Sequence, residues 1–124
     1  HVMVVHSQDG LDEISPVATT RVAELRDGAI GEYPISPEDF GVQLDSLEGL
    51  VVSGPTDSLA LIESALAGEP GPAADTIALN AGAAIYVAGQ AESLAGGVET
   101  ARDVLKKGAG LIRLREYAER THSL

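Results

Sequence analysis

Three acids follow the first apolar run of the chain at close spacing, Asp9, Asp12 and Glu13, with Gly10 and Leu11 between them. Carboxylates gathered directly after a strand stand where ligands of open α/β sheets collect. Adjacent hard oxygen donors suit magnesium, which keeps several waters and bridges substrate phosphates. The same spacing also describes a solvated acidic turn, and spacing alone does not separate the two. His6 and Ser7 are neighbours, but consecutive residues of a strand point to opposite faces, so they do not form a base and nucleophile pair. The expectation for His6 is a hydrogen bond at the strand end. Asn80 interrupts an otherwise apolar stretch and must find polar partners, most simply a hydrogen bond to a neighbouring loop. Tyr33, Tyr86 and Tyr117 read as isolated residues at the edge of a core, and His122 as part of a frayed tail. Phosphate-loop, dinucleotide-loop, zinc-protease and nucleophile-elbow patterns do not occur.

The elements that must position these residues are legible in the pattern. Val2-Met3-Val4-Val5 is continuous and apolar, which predicts a strand buried on both faces within a mixed or parallel sheet. Thr19–Leu25 and Ala29–Ile35 flank Arg26-Asp27-Gly28 and predict a β-hairpin. Ser36-Pro37-Glu38-Asp39 has the order of a helix start, which Gly41 ends within about a turn. Leu47–Val52 is a short apolar stretch of either type, broken at Ser53-Gly54-Pro55. Helices are predicted behind Thr56 through Leu66, over 73–89, from Ser93 to Lys107 and over 109–120. The second of these carries small apolar residues on nearly every side, as a buried helix does.

With 124 residues the chain supplies one domain's worth of length. Its formal net charge of −11 opposes binding to nucleic acid or to an anionic membrane surface. The charge is uneven: residues 1–50 hold ten acids and two bases, 51–100 six acids and no base, and 101–124 three acids and six bases. The basic end reads as a solvated last helix whose cations suit a helix C-terminus. Without cysteine there is no disulfide framework, thiol nucleophile or thiolate zinc site, which fits a cytoplasmic protein. No stretch has the length and apolarity of a membrane span, and no signal peptide is read at the start.

Four blocks carry a more specific pattern. Val4-Val5-His6-Ser7-Gln8-Asp9-Gly10-Leu11-Asp12-Glu13-Ile14-Ser15, then Thr20-x-Val22-x-Glu24-Leu25, Pro37-Glu38-Asp39-Phe40-Gly41, and Leu79-Asn80-Ala81-Gly82-Ala83-Ala84-Ile85-Tyr86-Val87-Ala88-Gly89 stand in the order seen in the anthranilate phosphoribosyltransferase family, which this chain resembles. The resemblance runs over essentially all of residues 1–124 and corresponds to the C-terminal part of such an enzyme. It implies an α/β fold: the end of a nucleoside phosphorylase/phosphoribosyltransferase-type domain, with an opening buried strand, a β-hairpin and three to four C-terminal helices. The family's helical N-terminal domain and glycine-rich diphosphate loop are not in this chain. Two departures are visible: Ser7 stands where a glycine is common, and Ser53–Ala60 replaces a Gly-Gly-Asp and Asn-Ala pattern.

The resemblance further implies a magnesium-dependent pentosyltransferase of tryptophan biosynthesis. Such an enzyme moves 5-phosphoribosyl from phosphoribosyl pyrophosphate (PRPP) to the amine of anthranilate and releases pyrophosphate. Asp12 and Glu13 match the family's Mg2+-binding pair. No residue of this chain is assigned as a catalytic base or a substrate ligand, and the segment alone is expected to be inactive. Expected partners are PRPP, anthranilate, the N-terminal part of the same protein and a second copy as a homodimer. A related transferase or phosphorylase with another acceptor, and a non-catalytic interaction module, stand as alternatives.

Overall fold

The Asp27-Gly28 pair sets the first tertiary feature. Both residues adopt positive φ, 51° and 80°, which closes a two-residue hairpin between β2 (Thr20–Arg26) and β3 (Ala29–Ile35). The computed structural model describes residues 1–123. β1 (Val2–Ser7) pairs antiparallel with β2, Ser7 opposite Thr20 and Met3 opposite Glu24, giving a three-stranded antiparallel sheet in the order β1, β2, β3.

This corrects the reading of the opening strand. β1 is an edge strand of an antiparallel sheet among the described residues, and it is not buried on both faces: Val2 and Val4 are 50% and 64% exposed. Met3 and Val5 point the other way and pack against the core. A continuous apolar run fixes strand character, but the burial of its second face depends on what lies against the sheet.

Behind the sheet come a one-turn 3-10 helix at Pro37–Phe40 and a second at Glu48–Leu50. The first begins as its sequence predicts: Asp39 Oδ2 accepts the Ser36 N–H at 2.8 Å, and Gly41 leaves it in the left-handed region. The Leu47–Val52 stretch resolves into the second turn followed by exposed Val51 and Val52. Four helices follow: α1 (Pro55–Leu66), α2 (Pro72–Val87), α3 (Leu94–Lys106) and α4 (Ala109–His122). α1 starts at Pro55 behind Gly54, one residue before the predicted Thr56, because proline's fixed φ suits the first helical position. Ser93 caps α3 as expected, its Oγ accepting the Gly96 N–H at 3.1 Å.

The buried cluster lies between the inner face of the sheet and the α2/α3 pair. Ile14, Val22, Ile35 and Val42 meet Ala78, Leu79, Val98, Ala101 and Leu105 there. Along α2 only Ala84 is exposed, in keeping with its apolar pattern on all sides. α4 is the least buried helix and carries the basic residues in solvent. Among the described residues no helix is long and apolar enough to cross a membrane.

Candidate functional site

The acidic loop is built from the end of β1 and held from several sides. The Ser7 N–H donates to Leu11 O at 3.0 Å and the Gly10 N–H to Ser7 O at 3.1 Å, so the chain turns tightly as it leaves the strand. Asp9 belongs to this scaffold: its Oδ2 accepts the Ser15 hydroxyl at 2.6 Å and its Oδ1 the Leu11 N–H at 3.3 Å. Partial burial on its own would raise the Asp9 pKa. The hydroxyls of Ser15 and Ser7 and the backbone of Leu11 outweigh that and hold it below the ordinary carboxylate range. Ser15 Oγ in turn accepts the Val17 and Ala18 N–H groups, and its own N–H donates to Thr20 Oγ1 at 3.2 Å.

Asn80 behaves as its position in an apolar helix demanded. Its Oδ1 accepts the Ile14 N–H at 2.8 Å while its Nδ2 donates to Ile14 O and to Thr76 O, each at 3.0 Å. The expected bond to a neighbouring loop is thus made, and the loop is the acidic one. Between these fixed points Asp12 and Glu13 stand exposed, and neither takes part in a hydrogen bond or ion pair among the described residues.

The donor set of this pair fits magnesium. No group of three or more His, Cys, Asp or Glu lies close enough among the described residues to cage a cation. Carboxylate oxygens are hard donors of the kind magnesium takes together with water and phosphate oxygens. Of the three acids singled out by spacing, the fold leaves Asp12 and Glu13 available and commits Asp9 to Ser15.

Other sequence candidates fall away from this loop. Ser7 is fully buried with its hydroxyl 3.5 Å from Thr19 O, while His6 faces solvent, so strand alternation separates them as expected. The expected hydrogen bond of His6 is not made among the described residues, where the residue is exposed opposite Arg21. His122 is not in a frayed tail. It closes the last turn of α4, its Nδ1 2.7 Å from Ala118 O. Tyr117 is 68% exposed on α4 and does not edge the core.

Tyr33 and Tyr86 are not isolated either. Both donate to Glu24, Tyr33 to Oε2 at 2.7 Å and Tyr86 to Oε1 at 2.8 Å. His1 Nε2 lies 2.6 Å from Oε1, and Arg26 donates to the Tyr86 hydroxyl at 2.8 Å. Strand register places Glu24 in phase with buried Thr20 and Val22, on the inner face of the sheet. That alternation is visible in β2 and was the available clue to an inward carboxylate. The tyrosines that satisfy it come from β3 and α2, which only folding brings together.

Comparison with known proteins places the whole chain in one context. Residues 1–111 match the glycosyl transferase family, a/b domain. The chain is 54% identical over 123 residues to the anthranilate phosphoribosyltransferase of Marinomonas sp. (strain MWYL1), covering 98% of this chain and 36% of that protein. It is 56% identical over 128 residues to that of Cellvibrio japonicus (strain Ueda107), covering 100% of this chain and 37% of the relative. Among solved structures, the anthranilate phosphoribosyltransferase of Thermus thermophilus superposes with a TM-score of 0.83 at 40% identity, over 93% of this chain and 34% of that one. The Saccharomyces cerevisiae enzyme in complex with PRPP and Mg shares the fold, with a TM-score of 0.82 at 23% identity over 98% of this chain and 35% of that one. The chain therefore spans about a third of the length of the relatives it matches.

Proposed function

The chain belongs to the glycosyl transferase family through its a/b domain, and from that premise we propose that it is the C-terminal part, residues 1–124, of an anthranilate phosphoribosyltransferase. The observation that supports this reading is sequence identity above one half to such enzymes in matches that span 98% and 100% of the chain. The complete protein then transfers 5-phosphoribosyl from PRPP to anthranilate. The bond from ribose carbon 1 to pyrophosphate oxygen breaks with its electron pair on the leaving group, the bond to the amine nitrogen forms, and the nitrogen releases a proton to solvent water. An aromatic amine has its lone pair available near neutral pH, so the attack itself needs no prior deprotonation and no residue of this chain is assigned as a base. A homodimer and a cytoplasmic location complete the proposal.

Within that reaction Asp12 and Glu13 would be the residues of this chain that hold Mg2+. When bound, the ion would supply charge neutralisation for the departing pyrophosphate. The protein's part is to present two carboxylates, free of internal partners, at the mouth of a loop tied to β1 and α2. Support comes from the exposure of the pair, from the family pattern it matches, and from a neighbour of the same fold solved with PRPP and Mg.

Replacing the pair by D12N/E13Q in the complete protein removes two charges at constant size. Turnover is expected to fall at least tenfold, about 1.4 kcal/mol of transition-state stabilisation, and the Mg2+ concentration for half-maximal rate to rise. Folding stability should change by no more than about 0.5 to 1 kcal/mol, as for exposed positions. Unchanged turnover and magnesium dependence would reduce the loop to a solvated turn.

A further inference from the structure

Asp12 and Glu13 are bracketed by two held peptide groups. The carbonyl of Leu11, in the peptide that leads into Asp12, accepts the Ser7 N–H at 3.0 Å. The N–H of Ile14, in the peptide that leads out of Glu13, donates to Asn80 Oδ1 at 2.8 Å. The second hold spans 66 residues of sequence and comes from the middle of α2, the most enclosed helix. Asn80 uses its whole amide in this task, since Nδ2 reaches both Ile14 O and the Thr76 carbonyl of its own helix. The Thr76 bond fixes the amide's rotation, and the two Ile14 bonds then fix that residue's backbone on both sides. The Ile14 side chain is 2% exposed in the core, so the exit from the loop is pinned through backbone and side chain together.

A two-residue span between pinned ends has few conformations left. We propose that Asn80 is a positioning residue for the Asp12 and Glu13 carboxylates, pre-organising them for the divalent cation through its grip on Ile14. The role rests on the magnesium reading given above and adds a residue that touches neither the metal nor a substrate. Pre-organisation lowers the ordering cost paid on binding, so its loss appears as weaker cation binding. By reciprocity, a cation that favours the pinned loop must also strengthen the pin.

The complete wild-type protein tests the reciprocal arm without any substitution. Hydrogen exchange of the Ile14 amide is measured with PRPP, with and without Mg2+, and Mg2+ is expected to slow it at least tenfold. An exchange rate unmoved by Mg2+ overturns the proposal. In the direct arm, Asn80→Ala is expected to raise the Mg2+ concentration for half-maximal rate at least tenfold while leaving the KM for anthranilate in place. A purely structural role would lower the amount of folded enzyme and leave both constants unchanged, and that outcome also overturns the proposal. Should Asn80→Ala not fold, the exchange measurement decides alone. D12N/E13Q separates the two readings: if it leaves the Mg2+ dependence unmoved, the metal site itself fails, whereas a shift there without one in Asn80→Ala removes only the positioning role.

Discussion

Glu24 is an acid on the inner face of a sheet, and it stays ionised because its surroundings were built around it. The Tyr33 hydroxyl is the strongest influence holding its pKa below the ordinary glutamate range; partial burial opposes, and Tyr86 and Arg26 add to the lowering. Tyr33 moves the opposite way: burial first, then the bond to Glu24, push its pKa well above the usual tyrosine value. The signs follow from linkage. A depressed carboxylate contributes stability that is full above its unfolded pKa near 4.5 and is lost as pH falls through the lower folded value. A raised phenol contributes stability that is full below its unfolded pKa near 10.0 and fades as pH rises toward its folded value. Glu24→Gln should therefore cost stability at pH 7, with the gap to wild type narrowing as pH falls below the unfolded value near 4.5 and closing only once pH has passed through the lower folded value, where the native carboxyl is neutral too. Tyr33→Phe should cost about 1.5 to 3 kcal/mol at pH 7, the range for a hydrogen bond to a charged group, and its deficit should shrink above pH 10. Melting temperatures of the three proteins across pH 3 to 11 check both limbs, and parallel curves would dissolve the network.

At the scale of elements, the tightest demand is where α2 crosses α3. A Cβ built on Gly97 would stand 2.2 Å from Gly82 O, and one on Gly82 would stand 2.6 Å from the Val98 backbone. Both obstacles are main chain, so no side-chain rotation relieves them. Gly97→Ala must push the helices apart and loosen Leu79 and Val98, which are almost fully buried at the same contact. The cost is expected to reach or exceed the ~1 to 3 kcal/mol typical of overpacking, even though alanine is the better helix former. The urea midpoint of the complete protein should fall accordingly. Gly96→Ala on the same helix, where the nearest foreign atom is the Ser93 hydroxyl at 3.3 Å, serves as the mild comparison.

Across the described residues the sheet is open on one face and along the β1 edge. Val2 lies opposite Leu25 and Leu25 opposite Ile30, and this outward row is exposed at 50%, 40% and 74%, with Val4 beside it at 64%. β1 also has a free hydrogen-bonding edge among the described residues, and a groove of about 300 Å³ lined by Val2, Val5, Ile14, Ala83 and Val87 runs beside it. An apolar edge strand invites pairing with another chain. The 124-residue segment on its own should therefore associate at micromolar concentration in ~0.15 M salt, where screening weakens the repulsion of its −11 charge. Val4→Lys should shift it toward monomer by placing a charge on the outward face at the edge. Sedimentation velocity on both proteins checks this, and a monomeric wild-type segment would show that the edge is protected within the chain. The isolated segment is also expected to form no phosphoribosylanthranilate from PRPP, anthranilate and Mg2+, read by product fluorescence.

Local chemistry determined much of this protein. The Asp27-Gly28 turn, the Ser93 cap, the Pro37 turn closed by Gly41 and the apolar faces of α2 follow from residue types within a few positions of each other, because φ preferences and capping are short-range. The acidic loop was legible for the same reason, and Asn80 announced that it needed a polar partner. Folding alone decided which loop Asn80 grips, that Asp9 is spent on Ser15 while Asp12 and Glu13 stay free, and that Tyr33 and Tyr86 converge on Glu24. It also decided that Val2 and Val4 of β1 lie open on one face while Val5 turns to the core. Each of these depends on two elements distant in sequence meeting at a given register and angle. Hydrophobic pattern specifies that such faces are covered or paired, but not by what, because burial is a property of the assembled layers and not of the strand that enters them.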